Sequence, residues 1–255
     1  MTGAARGTLV LVPNALDFGT AIPIDLNAAL PLAVVQRASR LTHWVVEDAK
    51  TARAFLKRVA AIAPLQRPLQ ALDIRELPRP PKGRIEPDSS AMDKLLEPAV
   101  AGADIGLLSE AGLPAVADAG STLVQAAHRL GLRVEPLPGP NALMLALAAS
   151  GLNGQSFAFV GYLPVKAEAR SARIRELDTL SRRSGQTQIA IETPYRNTSV
   201  LAALVQDLQP STWLSVGCAL TLPDGWCKTL RVQDWRRSPV SIDDRLPAVF
   251  LWHAG

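Results

Sequence analysis

The chain has 255 residues, of which 48% are hydrophobic and 20% charged. That balance excludes a disordered chain, and the length suffices for one large core or two of roughly 100 to 130 residues each. The formal net charge of +4 mildly favours polyanionic partners, and no apolar run reaches the ~20 residues needed to span a bilayer.

The opening MTGAARGTLVLVPN holds one arginine and then a five-residue strand pattern, too short for the apolar region of a signal peptide. The expectation is a cytoplasmic protein with no membrane partner. Thr8 to Val12 reads as a strand, Asp25 to Ser39 as helical, His43 to Glu47 as a strand and Lys50 to Ala60 as a helix. Alternation of this kind predicts an α/β fold with a mainly parallel sheet. The proline-rich Leu77 to Ser90 cannot hold a regular helix and reads as an exposed loop, with Asp88 or Ser89 capping the helix after it.

Residues 106 to 151 carry the most information. The strand Ile105 to Ser109 runs into a small-residue loop, Glu110 to Gly120. A helix follows, then a short strand ending in Pro138-Gly139-Pro140, then an alanine- and leucine-rich helix. Two backbone-exposing loops thus lie at strand ends, where ligands bind in open α/β sheets. Beyond them, Phe157 to Leu163 is a strand and Lys166 to Arg183 a charged helix. Gln188 to Glu192 is a strand, Tyr195 to Leu208 a helix and Trp213 to Leu220 a strand. Pro223-Asp224-Gly225 reads as a hairpin turn, and Leu246 to His253 is the last strand. Cys218 and Cys227 have neither zinc nor disulfide spacing and read as buried thiols. His43, His128 and His253 are scattered, so no metal is expected.

Five segments occur in one register: Val46-Glu47-Asp48; Ser109-Glu110-Ala111-Gly112-Leu113-Pro114 with Ala117-Asp118-Ala119-Gly120; Pro136-Leu137-Pro138-Gly139-Pro140-Asn141; Gly161-Tyr162-Leu163-Pro164; and Glu192-Thr193-Pro194-Tyr195-Arg196. Together they resemble the tetrapyrrole methylase family of S-adenosylmethionine (SAM)-dependent methyltransferases, and within it the branch that methylates a ribose 2′-hydroxyl of small-subunit ribosomal RNA. The resemblance implies two α/β domains of the tetrapyrrole methylase type, 1–115 and 116–255, with a SAM cleft between them, and a homodimer. It places Pro13, Glu110, Leu113, Asn141, Ala142, Thr193, Leu220 and Pro247 at the cofactor. The implied acceptor is RNA. A tetrapyrrole or other small molecule, or a SAM- or RNA-binding protein without turnover, stays open beside it.

Methyl transfer from a sulfonium needs alignment and exclusion of water more than a catalytic triad, and no catalytic residue or general base is identified from the sequence. Glu110 stands where the family usually has aspartate. Asp118 reads chiefly as a helix N-cap, and Glu192 with Arg196 either as a structural ion pair or as part of the catalytic machinery. The helix from Lys166 reads as a solvated face laced with i,i+3 and i,i+4 pairs. If the acceptor is RNA, Lys50, Arg173 and Arg196 are expected to hold phosphates. Several family features are changed. Glu-Asp-Thr-Arg is here Glu47-Asp48-Ala49-Lys50, losing a hydroxyl and a bidentate guanidinium, the loop after Pro13 is shortened, and Leu222-Pro223 stand in a region usually rich in charge. The cofactor-side loops are better kept than the acceptor side, which points to a divergent paralogue.

Overall fold

The computed structural model describes residues 5–17, 24–78, 89–238 and 240–255, and the chain divides into two compact units. The first contains β1 (Thr8–Val12), α1 (Leu26–Ala29), α2 (Leu32–Ser39), β2 (His43–Val46), α3 (Ala49–Ala60), β3 (Asp73–Glu76), α4 (Ser89–Val100), β4 (Ile105–Leu108), α5 (Ser121–Arg129) and β5 (Arg133–Pro136). Its sheet has the order β3-β2-β4-β1-β5, and every pair is parallel.

Side chains alternate across this sheet, as the two-residue strand period requires. Val10, Val12, Trp44, Val46 and Leu108 join one core with α1 to α3, whereas Leu9, Val45, Ile105 and Leu107 join another with α4 and α5. Helices therefore cover both faces, as a buried parallel sheet demands. The helical stretch expected over Asp25 to Ser39 is two helices, because Pro31 precedes α2 as its N-cap and lacks the N–H that would continue α1. The short strand β3 was not foreseen: its four residues include three charged ones. Most of the expected loop Leu77 to Ser90, with the Asp88 cap, lies outside the described residues. Ser89 is the first residue of α4.

The second unit holds α6 (Ala142–Ser150), β6 (Phe157–Tyr162), α7 (Ala167–Ser184), β7 (Thr187–Glu192), α8 (Asn197–Asp207), β8 (Trp213–Cys218), β9 (Trp226–Arg231), α9 (Val232–Arg237) and β10 (Ala248–His253). Its sheet order is β6-β7-β10-β8-β9. Here the expectation of parallel pairing fails: β6 and β7 are parallel, but β10 is antiparallel to β7 and β8, and β8 to β9. The Pro223-Asp224-Gly225 turn explains the last pair, since a short hairpin can join only antiparallel strands. Phe250 and Trp252 of β10 face the core shared with α7 and α8, while Val249 and Leu251 face α6.

The division falls at Pro140/Asn141, not near residue 115. The reason is β5, which pairs in register with β1 from Thr8↔Arg133 to Leu11↔Pro136. That ties α5 and β5 into the first sheet.

Candidate active site

In the first sheet, β1 and β4 are neighbours, but the chain leaves them in opposite directions, β1 toward β2 and β4 toward β5. That is a topological switch point, and the crevice at the carboxyl ends of such strands is the usual ligand site. Pro13, Asn14, Ser109, Glu110 and Gly112 lie there. Asn14 and Gly112 exchange backbone hydrogen bonds of 2.9 and 3.1 Å, and the Asn14 amide donates to the Glu110 carbonyl at 3.0 Å. Pro13 backs onto the loop after β5: a Cβ on Gly139 would stand 2.3 Å from the Pro13 Cβ. Three strand-end loops are thereby locked together, which is why residue 139 is glycine.

The loop from Gly112 to Gly120 is backbone-strained. Ala115 and Ala117 adopt φ of 65° and 63°, a region where residues other than glycine are uncommon and which clusters at ligand-binding loops. The expected Asp118 cap is absent. Gly120 occupies the N-cap of α5, and no side chain caps it. The left-handed φ of 117° at that position suits glycine and not aspartate.

Asp118 instead belongs to a group of carboxylates with Glu47 and Glu110. Desolvation, then the charge of Asp118, raises Glu47 to about 7, although the Glu110 N–H donates to its Oε1 at 3.3 Å and offsets part of the rise. Asp118 is an exposed residue, yet desolvation of its carboxyl and the charge of Glu110 lift it to about 6. Glu110 is raised too, by burial and then by Asp48. Asp48 itself caps α3, accepting the Thr51 N–H at 2.8 Å. Among the described residues, no three of His, Cys, Asp and Glu are grouped so as to hold a metal ion. The raised carboxyls of Glu47 and Asp118 were missed in the sequence; the Val46-Glu47-Asp48 segment was the available signal.

In the second unit, Thr193 and Pro247 flank the last registered pair of β7 and β10, Ala248↔Glu192, and Ala248 also pairs with Cys218 at the end of β8. The Ala219 N–H donates to the Pro247 carbonyl at 2.9 Å, so Thr193, Leu220 and Pro247 gather at one end of this sheet. Ala142 and Leu220 pack against the core cluster beneath α6. Asn141 is the N-cap of α6, its Oδ1 accepting the Met144 N–H at 3.1 Å. Left-handed Ala219 and Thr221, with φ of 50° and 78°, flank Leu220. Glu192 forms the expected ion pair with Arg196 at 3.1 Å, and its other oxygen accepts the Thr193 N–H at 2.8 Å.

The candidate cofactor residues thus form one group in each unit: Pro13, Glu110 and Leu113 in the first; Asn141, Ala142, Thr193, Leu220 and Pro247 in the second. Arg173 and Arg196 of the expected phosphate contacts are ion-paired, with Glu176 at 2.8 Å and with Glu192. Cys218 is buried and Cys227 half-buried, both free.

A doubly wound parallel unit followed by a mixed-sheet α/β unit, with Gly/Pro loops at the strand ends, is a two-domain α/β architecture of the ligand-binding class. The chain belongs to the family of Tetrapyrrole (Corrin/Porphyrin) Methylases, whose model matches residues 32–225. It is 44% identical over 105 residues to ribosomal RNA small subunit methyltransferase I of Vibrio cholerae, a stretch covering 41% of this chain and 34% of that protein. To the protein of the same name from Mesorhizobium japonicum it is 39% identical over 128 residues, 50% of this chain and 42% of that one. The matches therefore span well under half the length of these relatives. Uroporphyrin-III C-methyltransferase of Thermus thermophilus, solved in complex with S-adenyl homocysteine, shares the fold with a TM-score of 0.53 at 17% identity, covering 98% of this chain and 97% of that one. Among the described residues, no helix is long and apolar enough to cross a membrane.

Proposed function

We propose that the protein is a SAM-dependent methyltransferase acting on a ribose 2′-hydroxyl of RNA. The observation that supports this reading most is the 39 to 44% identity to small-subunit rRNA methyltransferases over more than 100 residues, in a chain that keeps the Gly/Pro loops at its strand ends. The residues fit the cofactor. Small residues and left-handed turns expose backbone around Gly112 to Gly120, and the Glu47, Glu110 and Asp118 carboxyls suit a cationic ligand. When bound, SAM supplies a methyl group on a sulfonium whose departure needs no metal.

The chain's own part is to hold the cofactor with its strand-end loop residues and to accept the proton of the attacking hydroxyl. Glu47 is the proposed proton acceptor, because a carboxylate titrating at about 7 is matched to base work at neutral pH. The homodimer and the cytoplasmic location are part of the same proposal.

The test is calorimetric titration with SAM, followed by incubation of small-subunit rRNA with methyl-labelled SAM and mapping of the labelled nucleotide. Ala142→Trp should abolish SAM binding in a folded protein, because bulk there denies the cofactor the N-terminal turn of α6. Unchanged affinity sinks that assignment. A second reading, a small-molecule acceptor such as a tetrapyrrole, is favoured by the altered Glu47-Asp48-Ala49-Lys50 segment. Label in a tetrapyrrole and none in RNA would establish it.

A further inference from the structure

We propose that the exposed face of α3 and the loop after it form the docking surface for the RNA phosphate backbone. This rests on the RNA reading above and specifies where that substrate is gripped. Residues 49 to 72 hold five cations, Lys50, Arg53, Lys57, Arg58 and Arg67, and no carboxylate. Their charge of +5 exceeds the +4 of the whole chain, so the remainder carries −1.

At 100° per residue, Lys50, Arg53 and Lys57 lie within one 60° sector of the helix and span about 10 Å along it. All three are exposed, while Ala52, Phe55, Leu56 and Val59 turn into the core. Lys57 and Arg67 line one open surface depression of about 480 Å³, with Leu65 and Leu69 also in its wall. Gln66 is shared with a neighbouring cavity of about 460 Å³ that Arg40 lines. Cations beside an open depression suit a nucleotide strand, whose phosphates need charge.

The state of these cations separates them from the other basic stretch. Arg58 is paired with Asp17 at 3.0 Å, and Lys50 lies close enough to Asp48 to lower its pKa. Among the described residues, Arg40, Arg53, Lys57 and Arg67 form no ion pair with a carboxylate. On α7, three of the five arginines, Arg173, Arg175 and Arg182, face Glu176, Asp207 and Asp178, and among the described residues Arg170 and Arg183 form no ion pair. A cation already paired gains less from a phosphate, so Arg173, Arg175 and Arg182 are the poorer phosphate contacts.

The test compares the unaltered protein with the triple variants Arg53→Gln/Lys57→Gln/Arg67→Gln and Arg173→Gln/Arg175→Gln/Arg182→Gln. Binding of labelled small-subunit rRNA and of a mixed-sequence single-stranded RNA 20-mer is measured from 0.05 to about 0.3 M salt. The α3 variant should lower the log–log salt slope by about 2, at roughly 0.7 per phosphate contact on single strands, and weaken binding at least about tenfold at 0.1 M salt. Its melting temperature and SAM affinity should match the parent's. The α7 variant should change the slope by less than about 1. An unchanged slope in the α3 variant, or an equal loss in the α7 variant, overturns the assignment. Parent protein that binds SAM but no RNA overturns the RNA reading itself. Salt-sensitive binding to anionic lipid vesicles without RNA binding would give the surface to a membrane instead.

Discussion

Single residues set both the chemistry and the shape of the strand-end loops. Glu47 ionises in the unfolded chain near 4.5 and in the folded one near 7, and Asp118 near 3.8 and about 6. Below the lower values both states are protonated and the difference costs nothing. As pH rises, the unfolded chain ionises first, so stability falls from about pH 4 and the loss is complete once pH passes about 7. The thermal midpoint should therefore drop across that window. Glu47→Gln should flatten part of the drop and raise the midpoint at pH 8 by about 2 to 4 °C, the effect of ~1 kcal/mol in a chain of this size. The same variant should lose the rate inflection near pH 7. An inflection that persists in Glu47→Gln would take the proton-acceptor role away from this residue. Gly139→Ala tests shape without charge, since its methyl group meets Pro13. Overpacking of ~1–3 kcal/mol should weaken SAM binding about tenfold or more. A variant with unaltered affinity would show that the Pro13 loop can move aside freely.

At the scale of elements, the period of apolar residues decided where strands and helices form, and β10 shows what it left undecided. Its alternation was legible, yet each of its residues from Ala248 to Trp252 is buried, because α6 covers one face and α7 and α8 the other. Phe250 is wholly buried at the centre of the sheet, so Phe250→Ala should cost about 3 to 5 kcal/mol, read as a lowered denaturation midpoint. A loss below ~1 kcal/mol would mean that the core collapses around the gap. The elements read wrongly have local causes. Pro31 divides a stretch with continuous helical spacing, and β3 is a strand of largely charged residues held by pairing with β2. The helix α9 (Val232–Arg237) is only six residues long, too short for periodicity to register.

For the whole molecule, the sequence by itself determined the α/β class, the order of most elements, the loops at strand ends and the resemblance that gives the family. These depend on spacing along the chain and on glycine and proline, whose constraints are local. Only the tertiary structure decided that β5 joins the first sheet, moving the division to Pro140/Asn141, and that the second sheet is mostly antiparallel. It also decided that Asp118 joins Glu47 and Glu110 and does not cap α5, and that Arg173 and Arg196 are engaged while Arg53, Lys57 and Arg67 are not. Strand partners, carboxylate neighbours and ion pairs are set by residues tens of positions apart, such as Glu47 and Glu110, 63 residues distant in the chain and joined by a hydrogen bond. Spacing within a segment carries no record of which distant segment folds against it, and a charge acquires its pKa only from the neighbours that folding brings.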